Sequence, residues 1–403
     1  MSERSILISG ASIAGPALAS WLGASGWDVT VVERFPRLRE EGQNIDVRGV
    51  GRDVLRRMGL EELVRSAHTG ESGTEFVDER GGTIAYFPAG TSDSGGSTAE
   101  LEVLRGQLSK VLHDQSSDRA AYVFGDQITA LHDDGTGVDV EFAKGAGRRF
   151  DAVVLAEGLR SHTRSLVLPE APVRELGLYI AYARIPRTAY DNSNWRIFTG
   201  DRGRTVSLRP DNLGTTQAFL SLVTDVRGLE LVGRDGIVNV LRRTFGDLGW
   251  QTPRVLDALE DDALYFEAIG QAKLPTWSRG RVALLGDAAF CASPISGMST
   301  TLALTGAYVL AGELTGGADP AAAFARYERL MRPFVTRAQK LMPGAPRLVH
   351  PRSRAERSLF RGVVRAMGTP LASRVAALAS GPMPASPADT MTLPGYPMPS
   401  PGA

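Results

Sequence analysis

Short apolar runs broken by glycine-bearing turns open the chain, and that rhythm gives the first prediction. Residues 5–9 (SILIS) read as a buried strand. After a glycine turn, Pro16 to Ala24 has helical character; Pro16 is tolerated in the first turn, where its missing N–H would have no helical partner. Gly26 ends that helix and Asp28 to Glu33 forms a second strand, so the pattern is a βαβ unit. Further on, 101–115 reads as a helix and 121–124, 138–142 and 152–155 as strands. The last of these, inside DAVVLAEG, is apolar through its middle, as a strand buried on both faces must be.

A second rhythm interrupts the first. Residues 74–88 alternate as two short strands (TEFVDE and TIAYFPA), followed by a polar loop, GTSDSGGST. Between 177 and 268 lie LYIAYARI, WRIFTG, RTVSLRP and QAFLSLVTD, which predict an inserted antiparallel sheet joined by 74–89. Val282 to Leu285 returns to a buried strand, followed by GDAAF, a long apolar helix from Leu302 to Leu314, and a helix over 319–340 broken at Pro333 and Pro343. A Pro-, Ser- and Met-rich tail from Gly381 is expected to wrap the surface. The implied fold is α/β, with two interleaved domains. Residues 1–73, 100–172 and 270–340 form a mixed parallel sheet with helices, 74–99 and 173–269 form an antiparallel β-sheet domain, and 341–403 form a C-terminal helix and tail. Interleaving of this kind suggests a ligand held between the two.

Composition narrows the function classes. Basic and acidic residues are balanced at 45 each, which argues against nucleic acid as the main partner. Only Lys110, Lys144, Lys273 and Lys340 among the basic residues are lysines, a bias best read as codon usage. One cysteine, Cys291, fits a reducing compartment, and five scattered histidines have no paired metal-ligand spacing. No run reaches the ~18 apolar residues of a membrane span. A cytoplasmic monomer or homodimer with no metal and no membrane partner is expected.

The chemistry begins in the first turn. Gly10-Ala11-Ser12-Ile13-Ala14-Gly15 joins the first strand to its helix, and Glu33 lies 23 residues beyond Gly10 at the end of the second strand, next to Arg34. Gly10 permits the tight turn, Gly15 lets helix and strand approach, and the helix N-terminus offers N–H groups to a pyrophosphate. Glu33 suits a free ribose 2′-hydroxyl, so FAD or NAD fits better than NADP. Ser12 stands where a middle glycine is usual and can donate to a phosphate oxygen. Two later segments follow buried strands: Ala156-Glu157-Gly158 through Arg164, and Gly280 through Gly286-Asp287-Ala288-Ala289, continuing to Pro294 and Gly297. Ligands of open α/β sheets bind at such strand ends.

On these three motifs in order, over nearly its whole length, the chain resembles the para-hydroxybenzoate hydroxylase family. It is most similar there to the tetracycline-inactivating and polyketide-tailoring flavin monooxygenases. The resemblance implies a Rossmann-like FAD-binding domain of the GR2 type and a substrate-binding sheet. It implies that Asp287 bonds the sugar-chain hydroxyls, and that the loop from Pro294 through Gly297, Met298 and Ser299 to Thr301 lies along the flavin ring. It also implies that Glu157 and Gly158 support the pyrophosphate, that Arg105 and Asp46 contact FAD, and that Arg39 helps bind NADPH. Arg105 and Asp46 have plain readings too, as a solvated helix charge and a turn cap.

The implied reaction is hydroxylation of an aromatic or polycyclic, polyketide-like molecule. NADPH or NADH is the transient reductant and O2 the oxidant, the oxygen passes through a flavin C4a-hydroperoxide, and no side chain acts as the catalyst. Tyr179, Tyr182, Trp195, Phe198, Phe219 and Phe266 are candidate substrate walls, although alternation alone does not fix which face inward. The chain departs from the family at Ser299, in place of a glycine, at Thr301, in place of an asparagine, and at Phe290, often His or Tyr. Ser299 adds a Cβ and hydroxyl where the backbone nears the flavin. A cyclase or isomerase with a structural flavin, or a flavin oxidase, therefore stays open.

Overall fold

Buried β-branched and leucine side chains build the first layer. In the computed structural model, which describes residues 4–39, 42–89, 101–171, 173–260, 264–317, 319–369, 388 and 390–402, strand Ser5–Ser9 is central. It pairs in parallel with Ala152–Leu155 on one side and Asp28–Glu33 on the other. Ile6, Leu7, Ile8, Val153 and Val154 are fully buried, each contributing about 1.5–3 kcal/mol of apolar burial. Ala120–Phe124 and Val282–Leu284 extend the sheet in parallel, and Ser278–Arg279 closes its edge as a hairpin partner. Helix Ala14–Ala24 packs against helices Ser299–Thr315 and Arg105–Ser116, and a three-stranded antiparallel meander spans 128–150.

The second layer is a seven-stranded sheet in the order Tyr265–Ala272, Val173–Pro186, Thr215–Val223, Arg204–Pro210, Asn194–Thr199, Gly73–Val77, Thr83–Pro88. It is antiparallel except where Asn194–Thr199 runs parallel to Gly73–Val77. The chain reaches that strand from the other sheet, not through a hairpin, so nothing forces the usual direction. One face packs on helices Arg234–Phe245 and Thr252–Asp257, with Leu241, Phe245 and Val255 set against Phe198, Val206 and Leu220. The opposite face looks toward the first layer.

Several expectations need correction. The predicted helix 101–115 opens with a strand, Glu102–Leu104, which pairs with Asn44–Asp46, and the helix begins only at Arg105. Helix Pro320–Ala338 runs through Pro333 without breaking. Pro333 is exposed, as is Arg329 one turn back, so the carbonyl that loses its partner is left on the solvent side. The predicted β region 177–268 also contains the two helices named above. The polar loop 90–98 and the start of the tail lie outside the described residues. Residues 390–402 strap the first layer: Tyr308 Oη donates to the Pro394 carbonyl at 2.7 Å and Tyr396 Oη to Glu313 at 2.8 Å.

Candidate flavin site

The first turn is a cradle that tolerates no side chains at its two glycines. Gly10 has φ +111°, and a Cβ there would lie 2.4 Å from the Ala156 carbonyl oxygen. A Cβ on Gly15 would lie 1.9 Å from the Gly10 carbonyl. Ile13 and Ala14, buried at the start of the helix, complete the turn. Glu33 is held at its mouth, accepting from the Ala11 N–H at 2.9 Å and the Phe35 N–H at 3.0 Å. Ser12 Oγ accepts from Arg105 Nη1 at 2.9 Å, which brings the N-terminus of helix Arg105–Ser116 onto the loop. Arg34 and Arg39 both lie on the Phe35 ring, 5.1 and 4.3 Å from its centroid.

The segment after strand Ala152–Leu155 is organised by one carboxylate. Glu157 accepts from Ser9 Oγ (2.6 Å), Ser161 Oγ (2.7 Å) and Thr163 Oγ1 (2.7 Å), so its oxygens go to shaping the loop. Gly158, with φ +80°, has no atom within 4 Å of a built Cβ and leaves open surface beside the cradle. Arg164 Nη1 donates to the Ala288 carbonyl at 3.1 Å, tying this segment to the third motif.

The third motif turns sharply. Gly286 has φ +63°, and its Cβ would touch Ala14 at 3.0 Å, so this loop and the cradle meet. Asp287 starts the short helix Asp287–Phe290, and burial pushes its carboxyl above the usual carboxylate range. Phe290 is fully buried, 4.8 Å from the Trp277 ring, and serves as packing. Ser293 then adopts φ +79°, ψ 153° while fully buried, a conformation rare outside glycine. Two buried amides hold the peptides before it. Gln339 Nε2 donates to the Ala272 and Cys291 carbonyls at 2.6 and 3.2 Å, and Gln271 Nε2 to the Ala292 and Gln339 carbonyls at 3.0 Å each.

After the Pro294–Ser296 turn, Gly297 has φ +63° and Met298 is buried at the start of helix Ser299–Thr315. A Cβ on Gly297 would sit 3.8 Å from Asp46 Oδ2, which pairs with Arg48 at 2.8 Å. Thr301 grips the Arg48 backbone from the helix side. Asp46 Oδ1 and Ser293 Oγ are buried without a hydrogen-bond partner, while the Ser299 hydroxyl faces the Asp287 carboxyl. Two such unmet groups around one loop are costly unless a ligand satisfies them. Together with the cradle and the free N-terminus of Ala14–Ala24, they fit a dinucleotide that ends in a polar ring.

The six aromatic wall candidates divide between the two faces of the sheet. Tyr182, Trp195 and Phe219 share the face toward the first layer, where Tyr182 and Phe219 meet edge-on at 5.3 Å. Tyr179, Phe198 and Phe266 lie on the other face: Tyr179 stacks on Phe266 at 5.6 Å, and Phe198 is buried under the helices. Strict alternation along each strand puts these three out of reach of anything held on the cradle side. Tyr265 and Glu267 stand beside Tyr182, and Arg209 lies over Trp195 while bridging Glu71 and Glu102 at 2.7 and 2.8 Å. Sequence reasoning missed these polar residues because they read as ordinary strand and loop positions. Ser293, Gln271 and Gln339 also carry no local signal.

Fold and site together define a flavoprotein with a dinucleotide cradle. The family model described as FAD binding domain matches residues 3–224. The chain is 35% identical over 369 residues to the FAD-dependent monooxygenase asL4 of Sarocladium schorii, covering 84% of this chain and 86% of that protein. It is 36% identical over 384 residues to the flavin-dependent monooxygenase eupH of a Phoma species, covering 88% and 89%. Among solved structures it is similar to tetracycline destructase Tet(51), with TM-score 0.79, 29% identity and coverage of 98% and 100%. The chain belongs to the FAD-binding-domain family of flavoprotein monooxygenases, and its cofactor is FAD. Among the described residues no helix is long and apolar enough to cross a membrane, and no His, Cys, Asp or Glu group is placed to hold a metal ion.

Proposed function

We propose that this protein is an NAD(P)H-consuming monooxygenase that hydroxylates an aromatic or polycyclic, polyketide-like small molecule. The observation that carries the reading is the convergence of the Gly10–Gly15 cradle, the Asp287 turn and the Pro294–Thr301 loop beneath the Tyr182–Phe219 face. The name of a structural neighbour, tetracycline destructase Tet(51), supports the polycyclic substrate class.

In this reading the N-terminus of helix Ala14–Ala24 holds the pyrophosphate, and Glu33, fixed by Ala11 and Phe35, receives the ribose. Asp287 and Asp46 bind the sugar chain and the ring edge. The N-terminus of helix Ser299–Thr315, if it faces the ring, would favour negative charge on reduced flavin. Bound FAD would supply the redox chemistry, with NAD(P)H as the reductant and O2 as the oxygen source. The Gln271–Gln339 clamp and the buried Ser293 keep the loop rigid and dry. Arg39, parked on Phe35, lies at the cradle's rim, where a nicotinamide cofactor would approach.

The test follows flavin absorbance under anaerobic mixing with NADPH and NADH, then 18O2 incorporation into a panel of hydroxylated polycycles. Nicotinamide-driven bleaching with one labelled atom in the product is the expected outcome. Conversion of substrate without 18O would replace this reading with the cyclase or isomerase that keeps a structural flavin, and a protein that takes up no FAD would overturn it outright.

A further inference from the structure

Residues 390–402 cross the first layer at the far ends of the helices that build the flavin site. Helices Ala14–Ala24, Val50–Arg57, Arg105–Ser116 and Ser299–Thr315 begin at the cradle, after the Asp46–Arg48 turn, at Arg105 and at the ring loop. At their other ends they meet the strap, three directly and one through Trp21. The Tyr308 hydroxyl accepts from Arg57 and donates to the Pro394 carbonyl at 2.7 Å, so one phenol joins two helices to the strap. Ser400 Oγ donates to the Arg57 carbonyl at 2.7 Å, and Arg119 Nη1, just past the third helix, to the Pro401 carbonyl at 2.7 Å. Gln115 Nε2 donates to the Met58 carbonyl at 2.7 Å, and a Cβ on Gly402 would lie 2.6 Å from that same oxygen. Trp21 meets the Tyr308 ring edge-on at 5.2 Å.

Gly312 shows how closely the chain is fitted to this contact. It lies within helix Ser299–Thr315, where glycine is among the least favourable residues. A Cβ there would fall 2.2 Å from the Tyr396 ring, so only glycine admits the ring at this depth. The Tyr396 hydroxyl donates to Glu313 at 2.8 Å, and the other Glu313 oxygen accepts from Arg326 of the following helix. Leu393 is buried, and Met391, Tyr396 and Met398 pack on the same core. A helix is a stiff rod, and Gly312 stands roughly 20 Å along the axis from Ser299. A tilt permitted at the strapped end therefore displaces the ring loop at the other.

We propose that residues 390–402 are a clasp that locks the far ends of the flavin-bearing helices and thereby sets how slowly FAD is released. Its key is the Tyr396 ring in the Gly312 notch. The clasp concerns retention of the cofactor and holds whichever reaction the flavin runs.

Full-length protein loaded with FAD tests it, with release read from the fluorescence that free FAD regains after dilution. Gly312→Ala should release FAD about tenfold faster, the size of effect that packing changes remote from a ligand exert. Tyr396→Ala should do the same. The two together should be no faster than either alone, because each already empties the notch. Tyr396→Phe keeps the ring and should stay close to the parent rate. Apoprotein melts run alongside: a strap that serves stability alone would lower the melt and leave release unmoved. Parent release rates in both single variants, or effects that simply add in the double variant, would overturn the proposal. Should Tyr396→Ala not fold, Gly312→Ala and Tyr396→Phe still decide it, and equal rates in those two would sink the clasp.

Discussion

Thr301 holds Arg48 by both ends of one residue's backbone: its hydroxyl accepts from the Arg48 N–H at 3.0 Å and donates to the Arg48 carbonyl at 3.2 Å. The turn carrying Asp46 is thereby stitched to the first turn of helix Ser299–Thr315. Gly51 makes room for it, since a Cβ there would lie 3.0 Å from the Thr301 hydroxyl.

Replacing Thr301 with valine keeps the shape and removes both hydrogen bonds. The expected cost is about 1–3 kcal/mol of stability, with FAD binding weakened roughly tenfold as the Asp46 turn loosens. Denaturant melts and a fluorescence titration with FAD measure the two effects.

The cradle predicts a sharper result at Gly15→Ala. Its Cβ would fall 1.9 Å from the Gly10 carbonyl, against backbone that cannot step aside. The variant is expected to lose FAD, giving a colourless preparation, with destabilisation of at least about 1–3 kcal/mol. Retention of the full flavin spectrum would contradict the tight-turn geometry.

The two faces of the seven-stranded sheet separate stability from recognition. Phe198 is 1% exposed beneath the helices, so Phe198→Ala should cost about 3–5 kcal/mol without changing which ligands bind. Phe219→Ala, on the cradle-facing side and partly accessible, should cost less in a thermal melt and more in ligand affinity.

His350 provides a pH test. Its Nδ1–H donates to the Pro346 carbonyl at 2.6 Å, and its Nε2 accepts from the Ser221 hydroxyl at 2.8 Å. Burial pushes the imidazole down from 6.5 to about 4, so the folded protein keeps it neutral where the unfolded chain would protonate it. The contribution is complete above pH 6.5 and is lost as pH falls through this window toward 4, amounting to roughly 3 kcal/mol. His350→Gln should flatten that part of the acid limb in urea melts taken from pH 7 to pH 4.

Gln339→Leu removes the amide that holds the Ala272 and Cys291 carbonyls in front of Ser293. The strained serine should relax, and with it the ring loop. A shift in the potential of bound FAD, measured by dye equilibration, distinguishes this from simple loss of stability; an unmoved potential would make the clamp purely structural.

What the sequence disclosed follows from how local each signal is. Gly10, Gly15 and Glu33 lie within one βαβ unit, so turn, helix start and acid could be read together. Asp287 could be placed because an apolar strand ends immediately before it. Strand 102–104 was hidden because three residues next to a helix give no period of their own. Helix Arg234–Phe245 was readable in principle from Ile237, Leu241 and Phe245, but the surrounding β-rich stretch drew it into the sheet. The division of the aromatic residues between two faces depends on strand register, which tertiary packing sets. Glu267 sits in YFEA and looks like any strand acid until Tyr182 is folded beside it. Ser293's left-handed backbone has no sequence marker, because glycine is the residue that announces such a conformation.

Between the six-stranded and seven-stranded sheets the chain crosses over and back: out to Gly73, back at Glu102, out at Val173, back at Ser278. Two bodies joined by one linker can swing open like a book. Four crossings between the same two sheets act as stitches, and opening would have to bend all of them at once. Substrate must then enter by local movement at the rim, leaving the seam shut, and a single proteolytic nick in one linker should leave a cut protein that still holds together and still carries its flavin.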